Sequence, residues 1–376
     1  MPVVNNPFFT GNYIAPEFFC NRNVETQKLV SNLLSGNKSA IIAPRRSGKS
    51  WLIEHSLRSR EIYRDFVFVN LDIYQVRSLR EFIYVFGKEL NRIIRLHNIK
   101  FQTSAQNEFD KGFEEPYSED DENSALKLEQ LFETMENSSR TFILTIDEFQ
   151  KIYDFPEKGA SDLIKSYIQQ TRNTRVIIAG TDELINGNSE IKPEKSILFP
   201  GGTFAHSVST IIPADITLND YLFFATYHFR NYSFDISSEA IEEVYVSFSG
   251  VLWYTQSVLA TMFNRAQRGA ICNGQMVQTA IDDVLQSMSH TFNDTLFRLP
   301  PKQKELLKAI AAEGDARNIT SGSFVRKHLL TSQSSVQAAL KGLIERDYVN
   351  RTFNRDENLV TYSVADKFLK LWLNKI

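Results

Sequence analysis

The chain has 376 residues and a formal net charge of −3, with 42% hydrophobic and 23% charged residues, which excludes disordered and fibrous classes and leads to an expectation of two or three domains at roughly 150 residues each. No run approaches the roughly 18 apolar residues of a membrane span, and the start, MPVVNNPFFTGNY, lacks a basic segment followed by an apolar one. Two cysteines, Cys20 and Cys272, are too few for a disulfide framework or a zinc site, so a reducing, cytoplasmic setting is expected.

In chain order, a polar and aromatic leader at Asn5 to Pro16 precedes a predicted helix at Val24 to Ser35. Leu29, Val30, Leu33 and Leu34 share one face of it, and Gly36 suits the left-handed position after its end. A short strand at Ser39 to Ala43, a turn at Pro44 to Gly48 and a helix at Lys49 to Ser59 follow. Phe66 to Asp72 is almost continuously apolar, as a parallel strand covered on both faces should be. Leu79 to Leu96 reads as a long helix with Phe82, Phe86, Leu90, Ile93 and Ile94 inward. Lys100 to Asn123, with its acidic run, reads as a solvated loop. Helices at Leu126 to Met135 and Ser161 to Gln170 alternate with strands at Thr141 to Ile146, Val176 to Ala179 and Val208 to Ile212. This alternation predicts an α/β fold around a parallel sheet with right-handed crossovers. From Leu218 to Leu285 the pattern is helical, and Pro300-Pro301 marks a boundary.

The strongest chemical motif is Ala43-Pro-Arg-Arg-Ser-Gly-Lys-Ser50, placed between a predicted strand and a predicted helix, the context of a phosphate-binding loop. A tight turn there aims backbone N–H groups and the positive end of a helix at an anion. Lys49 reaches the β- and γ-phosphates, Ser50 offers a hydroxyl to Mg²⁺, and Gly48 lets the backbone approach a phosphate. The candidates for nucleotide binding are Ala43, Pro44, Arg45, Arg46, Ser47, Gly48, Lys49, Ser50 and the next residue, Trp51. Ala43 stands where the usual pattern has glycine, which is tolerated only if φ is negative there.

About a hundred residues on, Phe142-Ile-Leu-Thr-Ile-Asp-Glu148 is an apolar strand that ends in two carboxylates, at the sheet edge where open α/β folds bind ligands. Asp147 suits Mg²⁺, making Ser50 and Asp147 the metal candidates. Glu148 suits the polarising of an attacking water. Thr181, at the tip of the next strand, can touch the γ-phosphate or that water, or can serve as a plain helix cap. Glu148 and Thr181 are the catalytic candidates.

These residues resemble the archaeal-type ATPase group of the AAA+/STAND superfamily, also found in bacteria. Phe18-Phe-Cys-Asn-Arg22 with Glu25, the Pro-Arg-Arg loop, Asn70-Leu-Asp-Ile-Tyr74, Ile146-Asp-Glu-Phe-Gln150 and Ile178-Ala-Gly-Thr181 match in order. Ser249-Gly-Val-Leu-Trp-Tyr-Thr-Gln256 resembles a glycine–tryptophan segment of the helical lid, and Asp366-Lys-Phe-Leu-Lys-Leu-Trp372 a closing helix. The resemblance implies an ATPase core (residues 1–215), a helical lid (216–294) and a winged-helix domain (295–376). It implies Arg22 near the adenine, Asp147 and Glu148 in Walker-B roles, and Thr181 as a sensor. Two departures stand out: Leu252 where the lid often has proline, and His206 where relatives often carry an arginine finger. Without that cation, slow hydrolysis is expected, since such an arginine supplies roughly 10³-fold or more.

From Thr295 onward the chain carries 14 Lys and Arg against 8 Asp and Glu, which suits an anionic partner or is an ordinary bias. Helices at Lys302 to Ala312 and Ser323 to Leu330 lead to a third capped by Ser334 or Ser335, whose Val336, Leu340, Leu343 and Ile344 point inward. Strands at Tyr348 to Phe353 and Leu359 to Ser363 complete a winged helix. Gln337 and Lys341 on the third helix, with Arg351 and Arg355 on the hairpin, suit DNA and equally an ordinary wet surface. Winged helices on ATPases of the group that the chain resembles often serve as protein contacts or as a cover on the core. The resulting expectation is a Mg-ATP-dependent switch, with nucleotide between core and lid, slow turnover and a winged helix that contacts DNA or protein. An ATP-binding DNA regulator with negligible turnover and a signalling or defence scaffold are the alternatives. Homo-oligomerisation is left open, and no acceptor-binding motif supports a phosphotransferase.

Overall fold

Apolar runs alternating with amphipathic segments become, in the computed structural model, strands stacked side by side with helices laid against them. The structure describes residues 5–99, 124–187, 196–354 and 359–376. The expected loop at 100–123 therefore lies outside the described residues. By contacts the chain divides into two compact units, Gly11–Ile216 and a second made of Thr217–Ile376 with residues 5–10.

In the first unit, helix α1 (Asn23–Ser35) ends at Gly36 with φ of 81°, as anticipated. Leu29 and Leu33 are buried, but Leu34 is exposed. Asn32 is buried in its stead, donating to the Ser39 hydroxyl at 3.0 Å. Strand β1 (Lys38–Ile42) leads through the loop to α2 (Lys49–Leu57), and after the short α3 (Arg60–Tyr63) comes β2 (Phe66–Asp72). Helix α4 (Leu79–Leu96) is capped by the Ser78 hydroxyl, which accepts from the Glu81 amide. It buries Phe82, Phe86, Leu90, Ile93 and Ile94. Each such side chain contributes about 1.5–3 kcal/mol of hydrophobic stabilisation. Helix α5 (Ser124–Glu136), β3 (Thr141–Asp147), α6 (Ala160–Gln170), β4 (Arg175–Gly180), the short α7 (Glu183–Asn186) and α8 (Thr203–His206), and β5 (Val208–Ile211) follow.

The five strands form one parallel sheet in the order β2-β3-β4-β1-β5. Strand β4 thus lies between β1, which feeds the phosphate loop, and β3, which ends in the acids. Ile42 pairs with Gly180, and Ile146 with Ile178, so the three C-terminal ends are level.

The second unit opens with α9 (Leu218–Asn231), whose Thr217 and Asp220 form a reciprocal capping box. Helices α10 (Ser238–Ser247), α11 (Leu252–Arg265) and α12 (Gly274–Arg298) follow, with a two-strand parallel pair, β6 (Asp235–Ile236) and β7 (Ile271–Cys272), inserted among them. From residues 5–10, Phe8 is buried against Phe224, Phe229 and Phe263. Helices α13 (Pro301–Glu313), α14 (Gly322–Lys327) and α15 (Gln333–Glu345) combine with β8 (Ala316–Arg317), β9 (Val349–Asn354) and β10 (Leu359–Val364). The sheet order is β8-β10-β9, antiparallel throughout. The cap of α15 is Ser332, not Ser334 or Ser335: its hydroxyl accepts from the Ser335 amide, three residues on, where an N-cap oxygen reaches. Strand β8, only two residues long, carries too little pattern to be read from sequence.

The last helix, α16 (Lys367–Leu373), returns to the helices before the wing. Phe368 packs against Phe248, Trp253 and Tyr254 at ring distances of 5.0–5.6 Å. The Lys367 ammonium donates to the Phe248 carbonyl at 2.8 Å and the Ser249 hydroxyl at 3.0 Å. The glycine–tryptophan segment and the closing helix are therefore two sides of one joint. Among the described residues, no helix is long and apolar enough to cross a membrane.

Candidate active site

The loop after β1 turns on two left-handed residues, Arg46 at φ 65° and Gly48 at φ 88°. Ala43 is not one of them, so the condition for losing the usual glycine is met. Its amide donates to the Gly180 carbonyl at 3.1 Å, extending the β1–β4 ladder into the loop. The Ser47 hydroxyl and amide both donate to the Pro44 carbonyl, at 2.7 and 3.4 Å, closing the turn. Gly48 is the N-cap of α2, so the loop delivers the positive end of that helix.

Lys49 opens α2 with its side chain only 7% exposed and its ammonium 3.0 Å from Asp147 Oδ1 and 3.5 Å from Glu148 Oε1. The Ser50 hydroxyl donates to the other Asp147 oxygen at 3.1 Å. Glu148, left-handed at φ 58°, bends the chain away from β3, and its amide donates to Asp147 Oδ1 at 2.8 Å. Two elements far apart in sequence thus meet at one sheet edge, with cation, hydroxyl and two carboxylates in mutual contact.

Arg45 lies 3.5 Å from Glu148 Oε2 and 4.9 Å from the centre of the Tyr74 ring. Arg22, buried at 6% exposure, donates to the Ser47 carbonyl at 2.8 Å and so ties the loop to the start of α1. Thr181 does not cap α7, whose N-cap is Asp182. Its hydroxyl is buried with no hydrogen-bond partner among the described residues. A buried hydroxyl left this way loses about 1–3 kcal/mol, a cost that an acceptor brought into the site would relieve.

Trp51 faces the leader. Its ring N–H donates to the Gly11 carbonyl at 2.6 Å, and Tyr13 meets it edge-on. The Tyr13 hydroxyl lies 2.8 Å from His55 Nδ1, and Phe19 stacks on His55 at 4.1 Å. Burial pushes the Tyr13 phenol up to about 12 and lowers the His55 imidazole. His206 ends α8 and is exposed, and Leu252 begins α11. In the wing, Gln337, Lys341 and Arg351 are exposed, Lys341 lying 3.5 Å from Glu345, while Arg355 lies outside the described residues. Gln150 was legible only as part of a motif. It sits buried on the 3₁₀ turn Phe149–Asp154 and donates to Glu148 Oε2 at 2.7 Å. A polar residue between the apolar Phe149 and Ile152 was the signal available in the sequence.

Residues 290–375 match the family described as "Probable winged helix domain". No curated protein matches the chain in sequence. Among solved structures, a Walker-type ATPase of Pyrococcus abyssi is similar with a TM-score of 0.61 at 18% identity, covering 98% of this chain and 99% of that one. The Orc2 protein of Aeropyrum pernix, solved in ADPNP–ADP complexes, has a TM-score of 0.56 at 13% identity, covering 98% and 96%. The Orc1 protein of the same organism, solved in complex with DNA, has a TM-score of 0.55 at 12% identity, covering 96% and 94%. At these identities the likeness is one of fold. The sheet order, the loop between β1 and α2 and the terminal winged helix together give this chain the fold of the AAA+ Walker-type ATPases.

Proposed function

We propose that the protein is a Mg-ATP-dependent switch that hydrolyses ATP slowly. The observation that carries this reading is the meeting of Lys49, Ser50, Asp147 and Glu148 within 3.0–3.5 Å at one end of the parallel sheet. In it, the loop Ala43–Ser50 cradles the phosphates with its amides, and Lys49 leaves the acids to bind the β- and γ-phosphates. The Ser50 hydroxyl and Asp147 carboxylate are the hard oxygen donors that suit Mg²⁺, which when bound neutralises charge on the phosphate oxygens. Arg22 holds the loop, with Trp51 set against the leader on the neighbouring turn of α2. Glu148 orients a water and takes its proton as the water oxygen bonds to the γ-phosphorus and the bond to the bridging oxygen breaks, releasing ADP. Thr181 offers its otherwise partnerless hydroxyl to the γ-phosphate.

The division into a core, a lid over residues 216–294 and a winged helix over 295–376 belongs to this reading, as does the wing as the part that contacts the partner. DNA is the favoured partner, through Gln337, Lys341, Arg351 and Arg355, because the basic balance of this end offers phosphate contacts and the Orc1 relative was solved with DNA. An exposed His206 in place of a cationic finger is the reason for slow turnover.

Phosphate release from the full chain, with and without duplex DNA, tests the proposal. The wild type turns ATP over slowly, and Glu148→Gln retains ATP binding while turnover falls at least about 100-fold. Full activity in Glu148→Gln would refute the role given to that carboxylate.

A further inference from the structure

The amide of Gln150 stands where the acid strand and its neighbour come together. Its Nε2 donates to Glu148 Oε2 at 2.7 Å, while the residue as a whole is 5% exposed. Its Oε1 lies against Gly180, so closely that a Cβ added there would sit 2.3 Å from that oxygen, with Leu184 Cδ1 at 2.9 Å. Gly180 does not have positive φ, so its backbone is one that alanine adopts readily. What excludes a larger residue is side-chain contact, the Gln150 amide most closely and Leu184 beside it. Glycine at the last position of β4 therefore makes room for the amide, and the amide fixes one oxygen of Glu148.

Among the described residues, the other contacts of the Glu148 carboxylate are ionic and tied to the loop: Arg45 at 3.5 Å and Lys49 at 3.5 Å. Both belong to the segment that binding a triphosphate would re-pair. The donor from Gln150 is uncharged and lies outside the loop, so turning those cations to phosphates does not itself remove it.

We infer that Gln150 is a positioning residue for Glu148, and that Gly180 is glycine because the Gln150 amide must rest against the tip of β4. This deepens the ATPase reading and rests on it. It also joins the strand that carries Thr181 to the strand that carries Glu148 through one side chain.

The test is single-turnover hydrolysis of γ-labelled ATP by the full chain, with affinity measured separately by equilibrium binding of ATP and Mg²⁺. Gln150→Met keeps the volume and removes the amide. The rate of hydrolysis is expected to fall about 10–100-fold, as misplacement of a reacting group by about 1 Å does, while ATP affinity stays within about twofold of wild type. Gly180→Ala, which displaces the amide with no change at residue 150, is expected to give the same split. The double variant is expected to be no slower than the slower single one, because both act through one contact. Wild-type rates in Gln150→Met, losses of affinity that match the losses of rate, or additive losses in the double variant would overturn the inference and leave the ATPase reading standing. A wild-type chain that binds no ATP would remove both.

Discussion

Lys49→Met isolates the ammonium that joins the phosphate loop to the acids. The side chain keeps most of its length and packing, so the perturbation is the loss of one charge 3.0 Å from Asp147 and 3.5 Å from Glu148. In the free chain that ammonium is already paired, so its contribution to ATP binding is the difference between two sets of charged partners. Two charge-assisted hydrogen bonds to phosphate, at about 1.5 kcal/mol net each, give about 3 kcal/mol, or about 150-fold in affinity. With Mg-ATP at 100 times the wild-type Kd, binding stabilises the wild type by about 2.7 kcal/mol and the variant by about 0.3 kcal/mol. For a unit of about 200 residues, Tm moves by about 2–4 °C per kcal/mol. A thermal melt with Mg-ATP should therefore rise by about 5–11 °C in wild type and by about 1 °C in Lys49→Met. An equal rise in both would refute the placing of the triphosphate against Lys49.

Two further predictions concern other parts of the molecule. Glu136 ends α5 and accepts from the amides of Arg172, Asn173 and Thr174 at 2.7–3.0 Å. Burial alone would raise its pKa, but these bonds hold it below the ordinary carboxylate value. Its contribution is therefore present above the unfolded pKa of about 4.3 and fades as pH falls through the lower folded value. Urea midpoints should show Glu136→Gln less stable by about 1–2 kcal/mol at pH 7, with the gap closing in acid; a gap that persists at low pH would contradict it. For the wing, a gel shift on duplex DNA should weaken steeply as salt rises, and Arg351→Ala should weaken binding to all sequences alike and reduce the salt slope by about one. No shift at low salt would turn the reading to a protein partner.

The parts legible in the sequence were those with a strong local cause. The apolar face of α4, the buried strands and the loop with its Gly48-Lys49-Ser50 ending all follow from period and residue type. The meeting of Lys49 with Asp147 was inferable because both sit at strand ends of a parallel sheet. Strand order was not, since nothing in the spacing of Gly180 shows that β4 lies between β1 and β3. The Gln150 amide was hidden for the same reason: its partner surface, Gly180, is thirty residues on and is brought near only by that order. Leu34 and Asn32 exchanged places because a hydrogen bond to Ser39 outweighed the apolar pattern. Trp51 was a nucleotide-binding candidate only by its place after Ser50; its ring N–H donates to the Gly11 carbonyl of the leader, a contact that no local pattern in α2 encodes.

The most direct measurement is a calorimetric titration of the full chain with ATP, in Mg²⁺ and again in excess chelator. Convergence of the loop amides, Lys49, Ser50 and Asp147 on a metal-bound triphosphate predicts saturable binding in Mg²⁺ that weakens markedly without it. Affinity indifferent to the metal, or no binding at millimolar ATP, would contradict the account.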